Sequence, residues 1–206
     1  MCIRDSDRVG MSESSVDAMP SLVNRMVNWA QVERTKGFRA LSLLSGALFF
    51  GAVLPLLMAL ASKWLDARLA LSSWPSWPLG FSSGLLLVIT GLFLAGWSVW
   101  AQLKLGRGGP LPVAPTQRLV TTGPYALCRN PMVLGELLYL TGLGLLLASP
   151  SFLALTWLAF FPAVVAYLKL VEEKELEARF GEAYLAYKRQ VPFLIPRPGR
   201  GRRQNG

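Results

Sequence analysis

PMVLGELLYLTGLGLLLASPSFLALTWLAFFPAVVAYL, residues 131–168, carries a single charge, Glu136. As helices, residues 131–147 and 151–168 are each just long enough to cross a ~30 Å hydrocarbon layer, which takes about 17 to 25 residues. Only Ala148, Ser149 and Pro150 separate them, so they must form a tight helical hairpin. Two further runs lie upstream. Residues 40–62 are uncharged throughout, and so is the stretch 69–103, in which Trp74-Pro75-Ser76-Trp77-Pro78 breaks the helix and leaves 79–102 as the crossing. Those tryptophans suit the headgroup level. With 52% hydrophobic and 16% charged residues and a mean hydropathy of +0.40, the chain is too apolar for a soluble domain of its size. The expected fold is all-α: an integral membrane bundle of about four transmembrane helices with an amphipathic C-terminal helix.

The net charge of +9 suggests nucleic acid at first sight, but the basic residues follow membrane topology instead. With a cytoplasmic N-terminus and four crossings, only Lys63 and Arg68 fall outside, a division of 19 to 2 among the 21 basic residues. Both termini are therefore expected in the cytoplasm. Arg197, Arg200, Arg202 and Arg203 read as a basic tail for anionic headgroups, and no nucleic-acid partner is expected.

Residues 1–37 form a polar segment without a secretory signal, residues 38–197 the membrane domain, and 198–206 the tail. Met1 to Gly10 resembles a translated sequencing adapter, which would make Met11 the native start. Residues 23–32 carry a weak interfacial-helix pattern. The segment 104–130 is longer than a connection requires, and its glycines and prolines exclude regular structure from its first half. It holds neither a P-loop nor a dinucleotide fingerprint.

Chemistry concentrates where that segment meets the hairpin, at Gly123-Pro124-Tyr125-Ala126-Leu127-Cys128-Arg129-Asn130-Pro131-Met132. Asn130 then Pro131 reads as N-cap and first helical position: Asn accepts from the orphan amides, and Pro lacks the amide that would go unpaired. The helix start beside Arg129 suits a carboxylate or phosphate, whether of a ligand or of membrane lipid. The chain has no histidine, which excludes histidine bases, triads and ligands, and no metal site is expected. Cys2 and Cys128 fall on one side of the membrane in reducing cytoplasm, so no disulfide is expected. Cys128 beside Arg129 is a candidate nucleophile, yet no base lies near to activate it.

Residues 172–188 have helical periodicity, with Leu176, Phe180, Ala183, Tyr184 and Tyr187 on one face. Glu173 falls within that face and Glu172 at its edge, while Lys174, Glu175, Glu177 and Glu182 point away. A carboxylate on a buried face needs a partner. The competing account is that Glu172 and Glu173 only favour the helix dipole while Glu175 pairs with Arg179, and Gly181 is positioned to end the helix early. Glu136 is a functional candidate as an ionisable group within a membrane helix, with Arg129 its nearest cation; snorkelling is the alternative. Together these residues suit a zwitterionic ligand with a carboxylate, an ammonium and a ribose.

Residues 119–125 (LVTTGPY), Arg129-Asn130-Pro131-Met132, Gly135, Glu172-Glu173, Leu176, Phe180-Gly181, Tyr184, Tyr187 and Val191-Pro192 resemble the isoprenylcysteine carboxyl methyltransferase and phospholipid methyltransferase superfamily. The likeness in order and spacing runs from about residue 91 to 197. It implies S-adenosylmethionine as cofactor, bound between the last membrane helices and the C-terminal helix, with Tyr125, Arg129, Asn130, Pro131, Gly135, Glu172 and Glu173 as cofactor-binding residues. Asn130 stands where the group commonly has histidine, and the Arg-Asn-Pro-Met form resembles bacterial members, which implies a bacterial inner membrane. Methyl transfer from a sulfonium is an in-line displacement that needs positioning and desolvation more than a histidine. The implied acceptor is lipophilic: an isoprenylcysteine-type carboxylate, a phospholipid amine or a small thiol. An amine or thiol must lose a proton, for which Glu136 and Glu173 are the catalytic candidates. A nicotinamide-dependent membrane reductase of the sterol-reductase type and a non-catalytic membrane protein are the alternatives.

Overall fold

The computed structural model describes residues 36–71, 78–106 and 116–196, and every regular element among them is helical. The N-terminal segment before residue 36 with its adapter-like start and interfacial pattern, most of the Trp-Pro break, the first half of the long loop and the basic tail lie outside the described residues.

Helix α1 (Lys36–Leu48) passes through a π-helical turn, Phe49–Val53, into α2 (Leu54–Arg68). The turn has a local cause. Pro55 has no amide to offer the carbonyl of Gly51 four residues back. The Tyr139 hydroxyl from another helix donates to that carbonyl instead, at 2.8 Å. Helix α3 (Leu79–Leu105) and helix α4 (Pro131–Leu146) follow. The last rod comprises α5 (Pro150–Ala154), a π segment at Leu155–Phe160, α6 (Phe161–Tyr167), a second π segment at Leu168–Glu172, and α7 (Glu173–Phe180). Pro162 explains its first π segment as Pro55 explains that of the first rod. Helix α8 (Glu182–Gln190) closes the chain after a break at Gly181.

Ala40–Arg68, Leu79–Leu105 and Pro150–Phe180 are long and apolar enough to cross a membrane, and Pro131–Leu146 is apolar but shorter. At 1.5 Å per residue, that fourth helix reaches about 24 Å. Leu44, Leu79 and Leu158 are 73%, 81% and 78% exposed on the outer faces, a display of apolar surface that only hydrocarbon accommodates. The protein is an integral membrane helical bundle.

Hydropathy underestimates the rods at their polar ends. The first extends on both sides of residues 40–62, and the second continues to Leu105. The last overruns its expected end at 168 by twelve residues, so the Glu172–Glu173 pair stands on the continuation of a membrane helix rather than at the head of a separate one. The expected C-terminal helix is accordingly split. Gly181 adopts φ 51°, a backbone conformation open chiefly to glycine, and turns α8 back from α7.

Helices α3 and α4 are antiparallel and nearly in backbone contact. A Cβ on Gly91 would lie 2.5 Å from the Gly135 carbonyl oxygen, and one on Gly142 would lie 2.6 Å from the Gly84 carbonyl. Small residues two turns apart on each helix permit this approach. Met58, Leu140 and Phe152 form a buried cluster joining α2, α4 and α5. The hairpin turns tightly at 147–149, as its length requires, with the Ser149 hydroxyl accepting from the Phe152 amide at 3.1 Å. This packing leaves the end of α3, the start of α4 and helices α7 and α8 together at one end of the bundle, and the α4–α5 hairpin with the end of α2 at the other.

Candidate functional site

A cleft of about 540 Å³, including its open mouth, lies among the end of α3, the loop before α4, and α7 and α8. Leu119, Val120, Leu168 and Leu176 give it apolar walls; Gln102, Arg129, Glu172 and Glu173 supply polar groups. That mixture of apolar walls and a few polar groups is usual for small-molecule sites.

Arg129 is positioned by four contacts. Its amide donates to the Pro192 carbonyl at 2.8 Å, its Nη1 meets Glu173 Oε1 at 2.5 Å, and the guanidinium lies over the Phe193 ring at 5.5 Å. Nη1 also donates to the Tyr184 hydroxyl at 3.4 Å. The other Glu173 oxygen takes Lys188 Nζ at 2.7 Å, and Lys188 reaches Glu177 at the same distance. Arg129 and Glu173 side chains are only 10% and 12% exposed. An ion pair buried this far recovers little net stability after desolvation, yet losing one partner is expected to cost about 3–5 kcal/mol, so the pair is better read as a positioning device than as a source of stability.

Glu172 lines the cleft beside this network, with no hydrogen bond or ion pair to the described residues. Two buried polar atoms of cleft residues also lack partners: Arg129 Nε and Gln102 Oε1. Native proteins rarely leave such atoms unmatched. Burial, with the Glu173 carboxylate beside it, pushes the Tyr184 hydroxyl up to about 12, and burial likewise raises Tyr125 and Tyr187. All three remain neutral hydrogen-bonding groups at physiological pH. The Tyr187 hydroxyl donates to the Tyr125 carbonyl at 2.7 Å, and the Gln102 amide nitrogen donates to the Tyr125 hydroxyl.

The structure thus brings Tyr125, Arg129, Asn130, Glu172 and Glu173 together around one cleft. Three other sequence candidates stand apart from its lining. Pro131 is buried at the first position of α4, Gly135 lies at the crossing with α3, and Glu136 lies in the second turn of α4, with its Oε1 buried and unpartnered.

Asn130 occupies the N-cap position, but its side chain makes no capping bond. Its Nδ2 donates instead to the Phe193 carbonyl at 2.9 Å, tying the segment after α8 to the start of α4. Glu175, expected to point away, is buried at 5% exposure. It pairs with Arg179 at 2.9 Å, and Arg179 also donates to the Thr116 carbonyl. The Glu175–Arg179 part of the competing account therefore holds, whereas its dipole part does not, because Glu172 and Glu173 lie within a continuous helix and Glu173 takes two cationic partners. Cys128 is fully buried, and burial pushes its thiol up to about 11, which makes it a poor nucleophile.

Sequence reasoning missed Gln102, Lys188 and Phe193. A lone amide in the last turn of a largely apolar helix is the signal that points to Gln102. Lys188 and Phe193 carry no such signal, because their partners lie on other elements.

A family model described as Phospholipid methyltransferase matches residues 79–183, just over half of the chain. The Protein-S-isoprenylcysteine O-methyltransferase of Rattus norvegicus is 31% identical over 150 residues, covering 68% of this chain and 50% of that protein. The Protein-S-isoprenylcysteine O-methyltransferase B of Arabidopsis thaliana is 30% identical over 117 residues, 55% of this chain and 54% of its own length. The Cobalt-zinc-cadmium resistance protein CzcN of Cupriavidus metallidurans is 39% identical over 82 residues, 38% of this chain and 36% of that protein. The chain thus spans about half or less of these curated relatives. No solved structure matches. Among the described residues no group of three or more His, Cys, Asp or Glu side chains is placed to hold a metal ion.

Proposed function

The chain belongs to the phospholipid methyltransferase family, and we propose that it transfers a methyl group from S-adenosylmethionine to a lipophilic acceptor at the cytoplasmic membrane surface. The observation that carries this reading is the buried Arg129–Glu173 pair in a cleft that also holds an unpaired Glu172 and two unpartnered polar atoms. A zwitterionic nucleoside ligand fits such a set. Its carboxylate matches Arg129, its ammonium or ribose hydroxyls match Glu172 and Glu173, and the apolar walls suit a planar base.

When bound, S-adenosylmethionine supplies an electrophilic methyl group on a sulfonium. The chain's own residues hold, orient and desolvate. Arg129 is kept in place by Glu173, which is kept in turn by Lys188, so the guanidinium is oriented before any ligand arrives. Tyr125, Asn130 and Pro131 shape the loop and helix start that carry it, and Gly135 lets α4 approach α3 closely enough to close the membrane side. A carboxylate acceptor is already nucleophilic. For an amine or thiol acceptor, Glu136 stands apart from the cleft lining and Glu173 is held by two cations, so Glu172, which lines the cleft unpaired, is the better-placed proton acceptor. The acceptor reaches the site from the lipid with its reactive head at the cleft mouth.

Purified protein in nanodiscs, incubated with methyl-labelled S-adenosylmethionine and a bacterial lipid extract, tests this reading. Label is expected in a lipophilic fraction and in none with boiled protein. Absence of both transfer and measurable binding of S-adenosylmethionine would refute it.

A further inference from the structure

Gln102 is a cleft residue whose hydrogen-bonding chemistry is only partly used within the protein. Its side-chain amide offers two N–H groups and a carbonyl with two lone pairs. One N–H is directed to the Tyr125 hydroxyl, whose ring is buried at 7% exposure and whose loop is secured through the Tyr187 bond to the Tyr125 carbonyl. The Oε1 is buried without a partner, and the same side chain lines the cleft. A planar amide clamped at one corner therefore has an acceptor and a second donor side by side.

We propose that Gln102 is a specificity-determining residue that reads the N6/N7 edge of the bound aminopurine nucleoside, its Oε1 accepting from the exocyclic amine and its remaining N–H donating to ring nitrogen N7. The proposal rests on the S-adenosylmethionine reading and deepens it. An amide of this kind is complementary to adenine, which presents a donor beside an acceptor along that edge. A 6-oxopurine presents two acceptors there, so its oxygen would face the Gln102 carbonyl. The apolar side chains of Leu119, Val120 and Leu168 leave the ring faces without competing polar groups. Arg129 and Glu173 remain for the amino-acid portion of the ligand.

The test is calorimetric titration of the full chain in nanodiscs with S-adenosylhomocysteine and with S-inosylhomocysteine, in which the exocyclic amine is replaced by a carbonyl oxygen. The parent is expected to prefer the adenosyl ligand by roughly 5-fold to 150-fold. Gln102→Leu should bring the two affinities to within about 2-fold of each other, chiefly by weakening the adenosyl ligand. Gln102→Glu, nearly the same shape, keeps an acceptor for the amine and should retain a preference for the adenosyl ligand. It also guards against misfolding as an explanation for the leucine variant. A parent preference that survives in Gln102→Leu, or a parent that prefers the inosyl ligand, would overturn the assignment of Gln102 while leaving the cofactor reading intact. A parent that binds neither ligand would refute the cofactor reading itself, and this assignment with it.

Discussion

At each end of the bundle a carboxylate ties helix termini together, and the two ends differ in what remains unbonded. At the hairpin end, Asp66 at the close of α2 accepts from the Ser149 hydroxyl at 2.5 Å and from the Ser151 amide at 3.1 Å. Ser149 in turn caps α5 through the Phe152 amide. Both Asp66 oxygens are matched by groups of the hairpin, so the arrangement is a helix cap supplied from a neighbouring rod. At the cleft end, Glu173 is also doubly matched, by Arg129 and Lys188. Around it, however, Arg129 Nε and Gln102 Oε1 stay buried without partners, and Glu172 lines the cleft unpaired. Charge and helix termini occur at both ends. Unmet hydrogen-bonding capacity beside a cavity occurs at one, and this separates a binding site from a structural clasp.

The largest contrast is in which side of the membrane each end faces. In a background lacking Cys2 and Cys128, Ala67→Cys should react with a membrane-impermeant maleimide in intact cells, and Arg118→Cys should react only after lysis. Both positions are exposed on the protein, so access depends on the membrane alone. Labelling of the Arg118 position from outside would reverse the orientation that the 19 to 2 division of basic residues supports.

Truncation at the cleft end should then remove binding. Arg129→Ala or Glu173→Ala is expected to weaken S-adenosylmethionine roughly 10-fold to 100-fold or more by calorimetry, with circular dichroism showing retained helix. Parent-like affinity in both variants would disprove the site assignment. The mirror experiment is Asp66→Ala. It should cost about 1.5 to 3 kcal/mol of stability, read as a lower Tm in nanodiscs, while S-adenosylmethionine binding stays within about 2-fold of the parent. If Asp66→Ala abolishes binding without lowering Tm, the hairpin end is more than a clasp.

The smallest expected effect belongs to Cys128. Its thiol is raised to about 11 by burial, so the reactive thiolate is a minor species at pH 8 and grows only as pH approaches that value. Alkylation of the folded protein should be slow at pH 8 and become fast on denaturation, and Cys128→Ser should leave binding unchanged. Rapid modification of native protein at pH 7 would contradict the buried position.

Hydropathy is a property of consecutive residues, and the sequence by itself therefore determined the apolar rods, the hairpin at 148–150 and the start of α4 at Pro131. The spacing of Glu173 on the apolar face announced that it needs a partner. Which partner it takes was decided by the tertiary structure, because Arg129 lies 44 residues away and meets it only once α4 and the last rod stand side by side. Asn130 shows the same limit: cap position was legible, but the side chain serves the Phe193 carbonyl, which packing delivers from 63 residues downstream. The helix ends were misjudged at 168 and 102 because a rod leaving the membrane keeps its backbone hydrogen bonds while its side chains turn polar, and hydropathy records only the side chains. Gln102 and Asp66 were passed over for a related reason. A single polar residue in or beside an apolar helix acquires its role from what the neighbouring helices place against it: a matched pair of donors for Asp66, and a cleft for Gln102.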